Sequence, residues 1–244
     1  MVWKLDSDGY FSFALLNETT HGFFSRHRGV SLAPFDSLNI SDEVGDYHPH
    51  VQANCAYIRQ TLGLSYLLQC KQLHGTDFYI IENPEASIPP CDALITNLRG
   101  VGLMIKHADC QAALFYDPVN KVVAAVHAGW RGAIGKIYTK IVQVLKDKFK
   151  SRPENLLVGI SPSLGKEHAE FINYRNELPE SFWKYQIRPN YFDFWTLSFD
   201  ELIEAGLLPH HIQMAQRCTY ANKEYFSYRR EKTTGRMGSV IALI

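Results

Sequence analysis

The chain has 244 residues, 46% of them hydrophobic, with 25 Lys+Arg against 25 Asp+Glu and hence a formal net charge of zero. That balance removes the global electrostatic case for a nucleic-acid or anionic-membrane partner and leaves room only for a local basic pocket, so a small-molecule ligand is expected. The N-terminal stretch Met1-Val2-Trp3-Lys4-Leu5-Asp6-Ser7-Asp8 has acids where a signal peptide has bases, and no apolar run is long enough to span a membrane. Five cysteines (Cys55, Cys70, Cys91, Cys110, Cys218) are scattered, odd in number and never spaced as C-x-x-C, which points to a reducing, cytoplasmic setting without a disulfide framework.

No repeat, heptad array or long polar linker divides the chain, so one domain over 1–244 is expected. Strands are predicted over Tyr10 to Asn17 and His21 to Ser25, followed by an irregular loop from Arg26 to Asp46 rich in Gly, Ser, Pro and Asn. Asp46 then reads as the N-cap of a helix in which Val51, Cys55, Ile58 and Leu62 recur at helical spacing until Gly63 ends it. Strands follow at Tyr66 to Lys71, Phe78 to Ile81, Ala93 to Thr96, Gly102 to Lys106, Ala112 to Tyr116 and Lys121 to Val126, the last two joined by the turn Asp117-Pro118-Val119-Asn120. Ile134, Ile137, Ile141 and Leu145 mark an amphipathic helix, and Leu156 to Ile160 a further strand. A helix through Leu197 to Ala205, a strand near Ile212 to Ala215 and a terminal strand from Ser239 complete an α+β chain with mixed strand pairing.

The chemistry concentrates in three places: His74 in Gln72-Leu73-His74-Gly75, Cys110 in Ala108-Asp109-Cys110, and His127 in His127-Ala128-Gly129-Trp130-Arg131-Gly132. Thiolate and imidazole donors suit a borderline-soft ion such as zinc, whereas magnesium or calcium needs clustered oxygens. Ligands this dispersed on strand ends indicate a site assembled by the finished fold, with a fourth position open to substrate. The same residues also suit two hydrogen-bonded histidines and a thiol buried as a small hydrophobe.

Gly129 to Gly132 leads toward a helix expected to begin near Ala133, which aims free backbone N–H groups and the Arg131 guanidinium at one spot, an anion pocket; the alternative is an Arg131 that stacks on Trp130. Asp109 is a candidate acid or base, although strand alternation sends it to the face opposite Cys110 if both are extended. His107 could compete as a ligand, and Arg26, Arg229 and Arg230 are candidate pocket cations.

With Asp92-Ala93-Leu94-Ile95-Thr96, Phe226-Ser227-Tyr228-Arg229-Arg230, Ser37-Leu38-Asn39, Val44-Gly45-Asp46 and Cys218-Thr219, these motifs stand in one order along nearly the whole chain. In that order the sequence resembles the YfiH-like laccase-domain family, named for polyphenol oxidoreductases and understood as zinc-dependent purine nucleoside enzymes. The resemblance implies a layered α/β/β/α sandwich with a metal held by His74, Cys110 and His127. It places Asp109 and Arg131 in the same pocket as catalytic residues, with Asn39 and Arg229 binding substrate. It also implies phosphorolysis of adenosine, guanosine, inosine and methylthioadenosine, hydrolytic deamination of adenosine, and zinc as cofactor, with copper able to occupy the same ligands. The chain departs from the family at Arg28 (usually glycine), His107 (commonly threonine), Gln111-Ala112 (usually apolar-Pro), Ser161 (glycine) and Lys166-Glu167-His168, which lacks a cysteine often found there.

Three other readings use the same residues. A multicopper oxidase needs repeated His-x-His pairs, and only His48-Pro49-His50 has that form. A thiol enzyme uses Cys110 as nucleophile and His127 as base. A binding module uses the metal for stability alone.

Overall fold

The computed structural model describes residues 7–244; residues 1–6 of the N-terminal stretch read above lie outside them. The strands are β1 (Tyr10–Phe11), β2 (Thr19–Phe24), β3 (Tyr66–Leu68), β4 (Phe78–Ile80), β5 (Ala93–Thr96), β6 (Val101–His107), β7 (Gln111–Asp117), β8 (Val122–Ala128), β9 (Leu157–Ile160), β10 (Gln186–Arg188), β11 (Tyr191–Phe192), β12 (Ile212–Met214) and β13 (Met237–Leu243). The helices are α1 (His48–Thr61), α2 (Trp130–Ile134), α3 (Ile137–Phe149), α4 (Tyr174–Glu177), α5 (Phe194–Glu204) and α6 (Tyr228–Glu231). Within the described residues, one five-stranded sheet has the order β1-β2-β13-β6-β3, one six-stranded sheet has the order β12-β9-β7-β8-β5-β4, and β10 and β11 form a separate hairpin. Pairing is mixed: β3 runs parallel to β6 and β4 to β5, while β7 and β8 are antiparallel.

Strand alternation builds the layers. Leu103 and Ile105 of β6 and Ile241 and Leu243 of β13 meet Leu94 of β5, Leu114 and Tyr116 of β7, and Val123 and Ala125 of β8 in the core between the sheets. The alternate residues face outward. Ala113, Phe115, Ala124 and Val126 pack on Ile137, Ile141 and Leu145 of α3 and Leu202 of α5, and Met104 and Val240 pack against Ile58 of α1. The result is helix, sheet, sheet, helix, the α/β/β/α sandwich that the resemblance implies.

Several expected elements are reshaped by tertiary contact. Only Tyr10 and Phe11 of the first predicted strand are extended; the chain then turns through a 3-10 helix at Ala14–Leu16, which seats Phe13 against Gly159 of the second sheet. Asp46 does not cap α1. Tyr47 occupies that position, because the Asp46 carboxylate instead accepts from Asn39 Nδ2 at 2.8 Å. The helix expected from Ile134 to Leu145 is two helices, α2 and α3, separated at Lys136, whose φ of 52° interrupts the turn. The β10–β11 hairpin and the aromatic cluster beside it, Phe171, Tyr174, Phe182 and Phe192, have no periodic signature in sequence.

Register brings three strand ends to one edge of the six-stranded sheet. Ala93 pairs with Val126, so Asp92 sits beside His127 and its carbonyl accepts the His127 amide at 2.7 Å. Gln111 pairs with Ala128, so Cys110 arrives next to the same residues.

Candidate metal centre

His74, Cys110 and His127 converge: one ligand atom from each lies within 4.8 Å of the others. His74 sits on the loop from β3 to β4, Cys110 on the loop from β6 to β7, and His127 at the end of β8. The His74 backbone has a φ of 61° and that of Asp109 a φ of 91°, left-handed conformations uncommon for side chains with a Cβ. Both are over-determined by their surroundings. The buried Asp92 carboxylate accepts from the backbone N–H groups of Leu73, His74 and Gly75 at 3.2, 2.9 and 2.7 Å, and from His127 Nδ1 at 2.8 Å. Asp92 therefore fixes the loop that carries one ligand and the ring orientation of another, leaving His127 Nε2 for the ion.

The donor set fits zinc. Two imidazole nitrogens and a sulfur close together match its preferred ligands, and the space they share is kept clear by Gly129, where a Cβ would come 3.2 Å from Cys110 Sγ and 3.1 Å from His74 Cδ2. Burial pushes the Cys110 thiol up, but the His127 charge and hydrogen bonds from both histidines outweigh it and bring the pKa down to about 6. Burial likewise opposes protonation of His127, while Cys110 and Asp92 together raise its pKa to about 9. In the absence of an ion the pair is thus thiolate and imidazolium, and the sulfur is already in its ligating state.

The ligands lie in the wall of a cavity of about 900 Å³. Trp130, Phe171 and Phe194 form an aromatic side of it, with Trp130 to Phe171 centroids 6.1 Å apart and Phe171 to Phe194 centroids 5.2 Å apart. Arg131 reaches the cavity and is exposed, stacking on the Trp130 ring at 4.3 Å. The helix beyond His127 begins at Trp130, three residues before the expected start, so Arg131 lies within its first turn and not ahead of it.

Asp109 lines the cavity too, but it is not on a strand, and the inference from alternation does not apply to it. Its carboxylate accepts from Thr219 Oγ1 at 2.6 Å and from the Arg229 amide, tying the Cys110 loop to Thr219 and to the first turn of α6. Arg229 lines the cavity with its guanidinium held by the carbonyls of His168 and Glu170. Asn39 is fully buried and is not among the residues lining the cavity; its side-chain amide bonds to Ser41, Asp46 and the backbone of Arg236. Sequence reasoning missed Asp92 and Arg236 as site residues. An acid directly before the buried strand Ala93–Thr96, as Asp92 is, is the available signal, since such a carboxylate needs partners inside the fold.

The sequence model of the family described as multi-copper polyphenol oxidoreductase laccase matches residues 20–244. The chain belongs to this laccase-domain family. Among its relatives, purine nucleoside phosphorylase YfiH of Shigella flexneri is 34% identical over 232 residues, covering 90% of this chain and 92% of that protein. Purine nucleoside phosphorylase ORF3 of Streptomyces griseus is 30% identical, over 91% of this chain and 93% of its own. The crystal structure of YlmD from Geobacillus stearothermophilus superposes with a TM-score of 0.90 at 27% identity, covering 99% of this chain and 98% of YlmD.

The departures from the laccase-domain pattern have local explanations. Arg28 has a φ of 76°, a conformation in which glycine is unstrained. Gln111 accepts from Tyr138 Oη at 2.8 Å and Ser198 Oγ at 2.7 Å and donates to the Phe194 carbonyl at 3.2 Å, linking β7 to both outer helices and anchoring the aromatic wall. Ser161 Oγ accepts from the Ala112 amide at 2.9 Å. His168 lies 3.4 Å from Cys218 Sγ and stacks on Tyr220. His107, buried and bonded through Nε2 to Ser239 Oγ at 2.8 Å, stands outside the ligand group. His48 of the lone His-x-His pair bonds to Asp42 at the start of α1, also outside that group. No helix among the described residues is long and apolar enough to cross a membrane.

Proposed function

We propose that the chain is a zinc-dependent purine nucleoside enzyme of the cytoplasm, cleaving adenosine, guanosine, inosine and methylthioadenosine by phosphorolysis and deaminating adenosine by hydrolysis. The reading rests on one observation above all: the three-ligand group opens into a cavity of about 900 Å³ that combines an aromatic wall with arginine side chains. Relatives that bear the name purine nucleoside phosphorylase over nine-tenths of the chain support it. Bound by His74, Cys110 and His127, zinc supplies Lewis-acid polarisation of a substrate atom and acidification of water; copper fits the same donors.

The chain's own groups do the positioning. Trp130, Phe171 and Phe194 offer ring faces to a purine and exclude water from one side of it. In phosphorolysis an oxygen of phosphate bonds to the anomeric carbon as the carbon–N9 bond breaks, and the electron pair leaves with the purine, which takes up a proton brought by dihydrogen phosphate. Arg131 and the other cavity cations hold the phosphate for in-line attack. In deamination, water adds at the purine carbon bearing the amine and ammonia departs. In this reading Asp109, oriented by its bonds to Thr219 and Arg229, carries the proton between them.

The deciding experiment follows hypoxanthine release from inosine by zinc-loaded protein with and without phosphate. Strict phosphate dependence with formation of ribose 1-phosphate is expected; release indifferent to phosphate refutes the phosphorylase assignment. The thiolate–imidazolium pair formed by Cys110 and His127 favours a second reading, a thiol hydrolase. Activity that survives chelation and disappears on alkylation of Cys110 identifies it. A polyphenol oxidase needs several coppers, and the described residues contain one group of three ligands.

A further inference from the structure

Arg236 enters the cavity wall from the residue just before β13. Its backbone is pinned on both sides: its amide donates to the buried Asn39 Oδ1 at 2.9 Å, and its carbonyl accepts from the Ile40 amide at 3.2 Å. The preceding Gly235 permits this approach, because a Cβ there would stand 2.6 Å from Phe226 Cζ and 2.9 Å from Asn39 Cβ. One nitrogen of the guanidinium, Nη1, is oriented by the carbonyls of Thr234 and Gly235 at 2.9 and 3.1 Å. The Tyr228 ring centroid lies 5.8 Å from its central carbon.

Among the described residues, this cation therefore meets carbonyl oxygens and a ring, and no carboxylate pairs with it. The other arginines nearby differ. Arg26 pairs with Asp36 and Glu231, and Arg230 with Glu231; Arg131 is exposed and stacked on Trp130; Arg229, whose Nη1 likewise meets two carbonyls, has its backbone amide bound to the Asp109 carboxylate. A guanidinium withdrawn from water without an anionic partner is costly unless a ligand completes it, and its planar fork matches two oxygens of a phosphate.

We infer that Arg236, clamped by the buried Asn39 amide at the cavity wall, is the residue that holds the phosphate co-substrate, ahead of Arg131. Burial depresses the Arg236 guanidinium below its ordinary value, against the opposing charges of Cys110, Asp109, Tyr228 and Glu43. Nε and Nη2 remain to grip two phosphate oxygens, leaving a third free to attack the anomeric carbon. The inference deepens the phosphorolytic reading and rests on it for the identity of the anion.

The test titrates inorganic phosphate into zinc-loaded protein by calorimetry, for wild type, Arg236→Gln, Arg236→Lys, Arg229→Gln and Arg131→Gln, with zinc content and thermal melting measured on each. The expected result is a rise in the phosphate Kd of roughly 10- to 100-fold in Arg236→Gln, the size expected for loss of a charge-assisted pair. Arg236→Lys recovers part of the binding, as a point charge replaces the fork. In turnover, the KM for phosphate rises more than the KM for inosine. A phosphate Kd within about twofold of wild type in Arg236→Gln overturns the inference, as does a larger loss in Arg131→Gln or Arg229→Gln, or a wild type that binds no phosphate. If wild type releases hypoxanthine without phosphate yet still binds phosphate through Arg236, the phosphorolytic reading fails while the anion site stands.

Discussion

Replacing Asp92 by Asn tests the structural logic of the metal centre most directly. The carboxylate is 1% exposed and receives four N–H groups: His127 Nδ1 and the His74 amide on Oδ1, and the Leu73 and Gly75 amides on Oδ2. Asn retains one oxygen, so whichever way its amide faces, an NH2 group confronts two buried donors. Two lost bonds at about 1–3 kcal/mol each give a destabilisation of about 2–6 kcal/mol, or a melting temperature lower by roughly 4–24 °C for a chain of this size. Because Asp92 also orients His127, zinc affinity should fall about 10- to 100-fold. Burial pushes the Asp92 carboxyl upward, but bonds from His127, Gly75 and His74 outweigh it, and its pKa lies below the ordinary 3.8. Its contribution is therefore complete above that ordinary value and is lost as pH falls through the folded one, so the gap in melting temperature between wild type and variant narrows in acid. Competition with a chromophoric chelator measures the affinity, and circular dichroism the melting. Zinc affinity within about twofold of wild type, with unchanged melting at neutral pH, refutes the reasoning.

In chelator-treated protein, the rate of Cys110 alkylation should rise with pH about a midpoint near 6, against 9.0 for an ordinary thiol, and zinc should suppress it; a midpoint near the ordinary value contradicts the thiolate–imidazolium pair. Gly129→Ala places a Cβ against Cys110 Sγ and His74 Cδ2, so metal content after dialysis against limiting zinc should fall at least about tenfold while the far-ultraviolet dichroism is kept. Full metal retention counts against the crowding. Leu114→Ala removes a fully buried side chain from the core between the sheets and should cost about 2–5 kcal/mol by urea denaturation; a loss under about 1 kcal/mol means that the sheets close over the gap.

Much of the fold is legible because its strands bury both faces at period two. Leu103 and Met104, or Leu114 and Phe115, belong to different layers, yet each segment reads as a short apolar run bounded by turns. The ligand trio is legible from residue type, since thiolate and imidazole together point to few ions. Features that depend on distant partners are not. The apolar spacing from Ile134 to Leu145 continues across Lys136, and only the left-handed backbone there shows two helices. Asn39 enters the sequence reading only through the family motif Ser37-Leu38-Asn39, and no local pattern shows that its buried amide holds the backbone of Arg236, a residue 197 positions away. The β10–β11 hairpin is too short for any period to register.

His74 and Cys110 sit where the polypeptide leaves one sheet for the other, the first on the passage from β3 to β4 and the second on that from β6 to β7. An ion shared with His127 of β8 thereby rivets the two layers along a rim where side-chain packing gives way to the cavity. Stripping it unfastens that rim first, so amide exchange should accelerate at the tips of β6 and β8 while the opposite edge keeps its protection.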